Sequence, residues 1–208
     1  LQRLHRQFGM TIIYATPDEL EALSMGEDIA VMEEGRVVQQ GTPDQLYENP
    51  RNLYVASEIG SPHMNLLDVS VGDGGRALST PFGKMATNRI GLSDGEAVVM
   101  GIRPSDIRLA KAKEAHVKSR VPLVEPLGDI TVVSVDASGS TLRLVLPESS
   151  ALGVQPGHEL PVIISQEDIH VFRKADGSAV PAAAFAFSAA EAAVSETASR
   201  TVSCGASS

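Results

Sequence analysis

Phosphate handling by backbone amides would need the spacing G-x-x-x-x-G-K-[ST], in which glycines let the chain wrap the oxygens and a lysine reaches over them. The nearest match is Gly83-Lys84, and it fails: Leu78 stands where the first glycine belongs and Met85 where the hydroxyl belongs. A zinc site needs convergent ligands. His5, His63, His116, His158 and His170 are scattered without paired spacing, and the one cysteine is Cys204. These histidines are expected to be solvated or locally hydrogen-bonded. Glu33-Glu34 precedes Gly35 and reads as a solvated turn. Ser149-Ser150 has no His/Asp context for a nucleophile. Ser134, Ser138 and Thr141 could contribute to an oxyanion site, but no compact Gly/Ser/Lys nest surrounds them. What remains is Thr16-Pro17-Asp18-Glu19, whose chemistry is that of a helix start: Thr16 as cap, Pro17 at the first helical position, Glu19 at the capping-box position.

The elements that must position these residues divide at Ser61-Pro62. Before it, Leu1, Leu4 and Phe8 fall at helical spacing, and Thr11–Ala15 reads as a buried β-branched strand. The helix opened at Thr16 would face inward with Leu20, Leu23 and Met25. Ile29–Met32 and Arg36–Gln40 read as strands joined by the Glu33-Glu34-Gly35 turn. Thr42-Pro43-Asp44-Gln45 opens a helix running to Glu48, stopped by Asn49-Pro50. A further helix spans Asn52 to Ile59 with Gly60 ending it. From Asn65 to Arg173 the texture changes to short apolar runs between Gly, Pro and Asp turns. The candidates are Leu66–Val71, Ala97–Arg103, Val117–Leu127, Ile130–Val135, Leu142–Leu146, Glu159–Ser165 and Ile169–Phe172. That number of short strands predicts a small barrel or sandwich. Beyond Gly177 the composition falls to Ala, Ser, Val and Thr, predicting a flexible tail over 181–208, with an Ala-rich helix at Ala182–Ala193 as the competing reading.

Composition narrows the function classes. The chain has 208 residues, a formal charge of -9 and no Trp, and no basic stretch with interleaved aromatics. Nucleic acid is therefore not an expected partner. Apolar runs such as Ala97–Met100 and Pro161–Ile164 are strand-sized, whereas a spanning helix needs about 20 apolar residues. No signal-peptide pattern is visible. A lone cysteine fits a reducing compartment. The first residue is Leu1, and the first helix begins in mid-pattern, so the sequence reads as part of something longer.

The block Thr11–Gly41, TIIYATPDELEALSMGEDIAVMEEGRVVQQG, resembles the final segment of ABC ATPase domains. Asp18, Glu21-Ala22 and Met32 through Val37 stand at that family's landmarks, and Gly41-Thr42-Pro43, Leu46-Tyr47 and Pro50 continue the match. Ile59–Leu66 is similar to the junction in sugar-importer ATPases of the maltose and glycerol-phosphate type. Gly101-Ile102-Arg103-Pro104, Val124-Glu125-x-Leu127-Gly128 and His170-Val171-Phe172-Arg173, followed by Asp176-Gly177, resemble their regulatory domain. The resemblance covers Leu1 to Val180.

It implies an α/β C-terminal remnant of an ABC nucleotide-binding domain at 1–60, then an all-β, OB-like domain of TOBE type at 61–180. The regulatory motif residues would be Gly101, Ile102, Arg103, Pro104, Glu125 and Gly128, with Arg103-Pro104 a strand-end structural element. The resemblance further implies ATP and Mg as cofactors of a full-length parent and none for this fragment alone. Partners would be a second ATPase subunit and membrane permease subunits, and the place would be cytoplasmic, on the inner face of the membrane. The P-loop, signature and acidic metal-binding strand would all precede Leu1, so this chain is not expected to hydrolyse ATP by itself. The switch loop would be Thr16, Pro17 and Asp18. The family's usual His in Thr-His-Asp contacts the terminal phosphate and the attacking water. Here Pro17 replaces it, and proline offers neither a side-chain hydrogen bond nor an N–H. Either another residue positions the water, or the site is degenerate and a partner subunit carries the active one. The alternative function is a stand-alone TOBE-like module binding a small ligand or oxyanion such as molybdate.

Overall fold

The computed structural model describes residues 2–111, 115 and 117–183. His116, Cys204 and the Ala/Ser-rich stretch from 184 onward lie outside the described residues, and with them all but the first residues of both readings of it.

The N-terminal segment carries helices α1 (Gln2–Phe8) and α2 (Glu19–Met25), a hairpin of β1 (Ile29–Glu33) and β2 (Arg36–Gly41), then α3 (Pro43–Glu48) and α4 (Leu53–Glu58). Glu34 and Gly35 both have positive φ, 47° and 78°. A two-residue turn needs that backbone to match the twist of the strands it joins. Helix α3 starts as its sequence dictates. Thr42 accepts from the Gln45 N–H at 3.3 Å, Gln45 Oε1 accepts from the Thr42 N–H at 3.0 Å, and Pro43 takes the first position. The Asn52 side chain caps α4 by accepting from the Val55 N–H at 2.9 Å.

Two expectations fail here. Thr11–Ala15 is not a buried strand: it has no ladder partner among the described residues, and Ile13 is 95% exposed. β-branched residues favour a strand only where a neighbour takes their N–H and C=O groups. The second correction concerns the start of α2. Asp18, not Thr16, is the N-cap, accepting from the N–H groups of Leu20 (2.9 Å) and Glu21 (3.1 Å). Pro17 therefore precedes the helix. Leu20 is exposed, whereas Leu23 faces inward as expected, joined by Ala22.

Among the described residues ten antiparallel strands follow: β3 (Asn65–Gly72), β4 (Ala77–Thr80), β5 (Gly83–Ala86), β6 (Ala97–Ile102), β7 (Ile107–Leu109), β8 (Val117–Pro126), β9 (Ile130–Ala137), β10 (Ser140–Pro147), β11 (Glu159–Ile164) and β12 (Ile169–Arg173). A single turn, α5 (Glu148–Ala151), interrupts them. The sequence reading omitted β4, β5 and β7, each four residues or fewer and too short to show a period. Gly83-Lys84 lies in β5, an ordinary strand. One sheet runs β10-β9-β8-β11-β7 and the other β12-β6-β3-β4-β5. Alternation in β3 and β10 turns every second residue into a core shared by both sheets, including Val69, Met100, Val133, Leu144 and Val162. Asn65 stitches the sheets together. Its Nδ2 donates to the Ile102 and Arg143 carbonyls (3.2 and 2.8 Å), and its Oδ1 accepts from the Arg143 N–H (2.7 Å), so a buried amide behaves as one more ladder residue.

Helix α4 is shared property. Val55 joins Ile29, Leu46 and Ile59 in the small core of the N-terminal segment, while Ala56 packs with Met64, Val99 and Phe172 on the outer face of the second sheet. Two backbone bonds fix the same seam, Leu53 N–H to Gly177 O (2.8 Å) and Ala179 N–H to Arg51 O (3.0 Å).

Candidate functional site

The loop before α2 is ordered by its own polar side chains. Thr16 Oγ1 accepts from the Asp18 N–H at 3.0 Å and donates to Glu21 Oε2 at 2.9 Å. The Tyr14 hydroxyl donates to the same carboxylate oxygen at 3.0 Å, which holds its pKa above the ordinary phenol value. Pro17 has no bond to make, and its ring lines a shallow cleft of about 260 Å³ with Asp18, Glu19, Leu20, Glu58 and His63. Glu58 comes from the last turn of α4 and His63 from the junction leading to β3. His63 Nδ1 is 4.0 Å from Glu19 Oε2, and that oxygen is buried without a hydrogen bond.

Three carboxylates and no Lys or Arg line this cleft. A triphosphate would meet repulsion there, so these residues do not make an ATP site by themselves. Among the described residues no group of three or more His, Cys, Asp or Glu is placed to hold a metal ion.

The regulatory-motif residues separate into two places. Gly101 and Ile102 end β6, and Arg103-Pro104 follow directly. A Cβ on Gly101 would lie 2.5 Å from Met64 Sδ and 3.1 Å from the Phe172 ring, so only glycine lets those side chains cross the sheet there. Arg103 is 1% exposed, and its guanidinium stacks over the Tyr47 ring at 4.1 Å. Glu125 and Gly128 lie elsewhere, at the β8–β9 end, where Gly128 has φ 102°. They are not among Arg103's hydrogen-bond partners. The same end exposes Leu123 and Leu127, while Val117 and Val121 on the first half of β8 point into the core.

His170 departs from the solvated role expected of the histidines. It is half-buried on β12, its ring stacked on Phe172 with centroids 6.4 Å apart. Burial first, then the charges of Arg89 and Arg103, push its pKa down to about 4. The reading from sequence also missed Glu19, Glu58 and Tyr47 as lining or anchoring residues.

Residues 60–107 match the MalK OB fold domain and residues 100–172 match the TOBE domain. The chain is homologous to ATP-binding proteins of sugar-import ABC systems and carries their OB and TOBE domains behind a short α/β segment. It is 36% identical to the trehalose/maltose import ATP-binding protein MalK of Thermococcus litoralis, over 86% of this chain and 51% of that protein. The oligosaccharides import ATP-binding protein MsmX of Bacillus subtilis is 36% identical over 82% of this chain and 49% of its own length. The sulfoquinovosyl glycerol transport ATP-binding protein SmoE of Agrobacterium fabrum is 31% identical over 83% and 49%. The chain thus spans about half the length of the curated relatives it matches. No helix among the described residues is long and apolar enough to cross a membrane.

Proposed function

We propose that this chain is part of the ATP-binding subunit of an ABC importer for a sugar, polyol or glycerol phosphate. In this reading 1–60 is the end of the nucleotide-binding domain, 61–180 the regulatory domain and 181–208 a tail. The observation that carries it is the unbroken order of parts. The segment with Thr16-Pro17-Asp18 is packed through α4 onto a domain matched by the MalK OB and TOBE families, and relatives named as importer ATP-binding proteins align across both. ATP and Mg would be bound by the parent protein. Its partners would be a second ATPase subunit and permease subunits, which would hold it against the inner face of the membrane. The test is genomic. The DNA upstream of the Leu1 codon should encode, in frame, a P-loop, an ABC signature and an acidic metal-binding strand. A start codon there preceded by an in-frame stop would overturn the reading. Calorimetry with molybdate, sulfate and maltose separates the stand-alone module: tight oxyanion binding by the 208-residue chain would favour it.

Within this reading Pro17 marks a degenerate switch position. It faces a cleft without Lys or Arg, and the imidazole there, His63, comes from the junction after α4 and lies beside Glu19 rather than at the switch position itself. In the full-length protein with its partner, turnover at this site should be low, and Pro17→His should raise it. Normal turnover at the Pro17 site, or a Pro17→His variant without effect, would count against degeneracy. The exposed Leu123 and Leu127 are the surface offered for pairing of two regulatory domains. Leu127→Glu should shift a dimer toward monomer in light-scattering measurements.

A further inference from the structure

Helices α3 and α4 have six residues each and no basic side chain in their last turns. Isolated helices this short do not persist in water, and their last carbonyls have no partner within the helix. In this fold one such carbonyl of each helix is met from a distant strand end. Arg103 Nη2 donates to Tyr47 O in the last turn of α3 at 2.7 Å. Arg103 Nη1 donates to Ala56 O in the last turn of α4 at 3.5 Å and to Ile59 O at its C-cap. The cation faces the negative ends of both helices. Among the described residues it has no ion-pair partner, and the carboxylates of Asp106, Glu48 and Glu19 act on it only at longer range. Gly60 makes room for it: a Cβ there would lie 2.9 Å from Arg103 Nη1.

We propose that Arg103 is the joint that keeps the N-terminal segment folded on the β-domain, capping two helices from outside their own sequence. The end of β6 is thereby coupled to the cleft beside Pro17, because Glu58 closes α4 and His63 lies just beyond Arg103's acceptor Ile59. Displacing the end of β6 loosens both walls while the sheets stay intact. Planar, forked donors are what this geometry uses, and an ammonium offers only a point.

The amino-acid composition supplies the test. All three tyrosines, Tyr14, Tyr47 and Tyr54, precede Gly60, and there is no tryptophan. Tyrosine fluorescence therefore reports the N-terminal segment, and far-UV circular dichroism is dominated by the strands from Asn65 onward. In urea, the two transitions of the unaltered 208-residue chain should superimpose. In Arg103→Met the tyrosine midpoint should fall below the dichroism midpoint by about 1 M. Arg103→Lys, which keeps the stem and the charge, should separate them less, and it decides the matter alone if the Met variant does not fold. Superimposed curves in every folded variant, shifted together or not at all, would overturn the proposal. So would transitions already separate in the unaltered chain.

Discussion

The two halves of this molecule bury apolar surface by different means. The β-domain owns a closed account of pairings: each strand from β3 to β12 has a neighbour, and alternate residues meet in one core. The N-terminal segment has one hairpin, short helices and a core of four buried residues, Ile29, Leu46, Val55 and Ile59. Its stability is borrowed through α4 and Arg103. It also leaves Phe8, Met10, Ile13 and Tyr14 exposed. One region is built on strand pairing throughout; the other has one hairpin, local helix caps and a small core, and meets the first along α4.

The contrast can be attacked at its strongest point. Leu144 is fully buried on β10 within the shared core. Leu144→Ala should destabilise the whole chain by about 2–5 kcal/mol, seen as one shift in both fluorescence and dichroism. Leu46 is equally buried but sits in the small cluster. Leu46→Ala should cost somewhat less, because neighbours there can collapse, and the loss should show first in tyrosine fluorescence. If Leu46→Ala moves the dichroism transition as far as Leu144→Ala does, the two regions are one cooperative unit. Smaller again, Thr42→Ala removes the capping box of α3 and should cost about 1 kcal/mol, confined to the same probe.

At pH 7 His170 is neutral folded or unfolded, so it tests the β-domain only in acid. Its folded pKa of about 4 lies below the ordinary 6.5. Between those values the unfolded chain binds the extra proton, so stability rises with pH across that window and is lost as pH falls through it. Urea midpoints measured from pH 4 to 6.5 should therefore slope upward, and His170→Asn should flatten the slope. An unchanged slope would place the titration elsewhere.

How much of this was legible in the residues follows the same division. Seven of the β-domain's strands were readable because both members of each pair lie in the chain, so the alternation that builds the core is written twice. Strands β4, β5 and β7 escaped because three or four residues cannot show a period. The α3 capping box was legible because it is local. The cap of α2 was misplaced by two residues because Thr16's hydroxyl is taken by Asp18 N–H and Glu21, a competition that composition does not display. Arg103 was readable as structural but not as the partner of α3 and α4, since 44 to 56 residues separate it from its acceptors. The candidate site was the least legible part: its cleft joins Pro17 and Glu19 to Glu58 and His63 across a fold that no short motif encodes.

The failed strand at Thr11–Ala15 turns the contrast into its most delicate prediction. Its pattern is that of a buried strand, yet Ile13 is 95% exposed. In the 208-residue chain, Ile13→Ser should change stability by no more than about 0.5 kcal/mol, the range of ordinary surface substitutions. If the proposed parent protein supplies neighbouring strands, the same substitution there removes a buried isoleucine and should cost about 1.5–3 kcal/mol. The informative quantity is the difference between the two contexts, measured by urea unfolding of both proteins. A large loss in the longer protein beside none in this chain would show that the run is a strand waiting for its pair. Equal, negligible effects in both would mean that this segment stays at the surface, and that its β-branched composition has some other origin than a sheet.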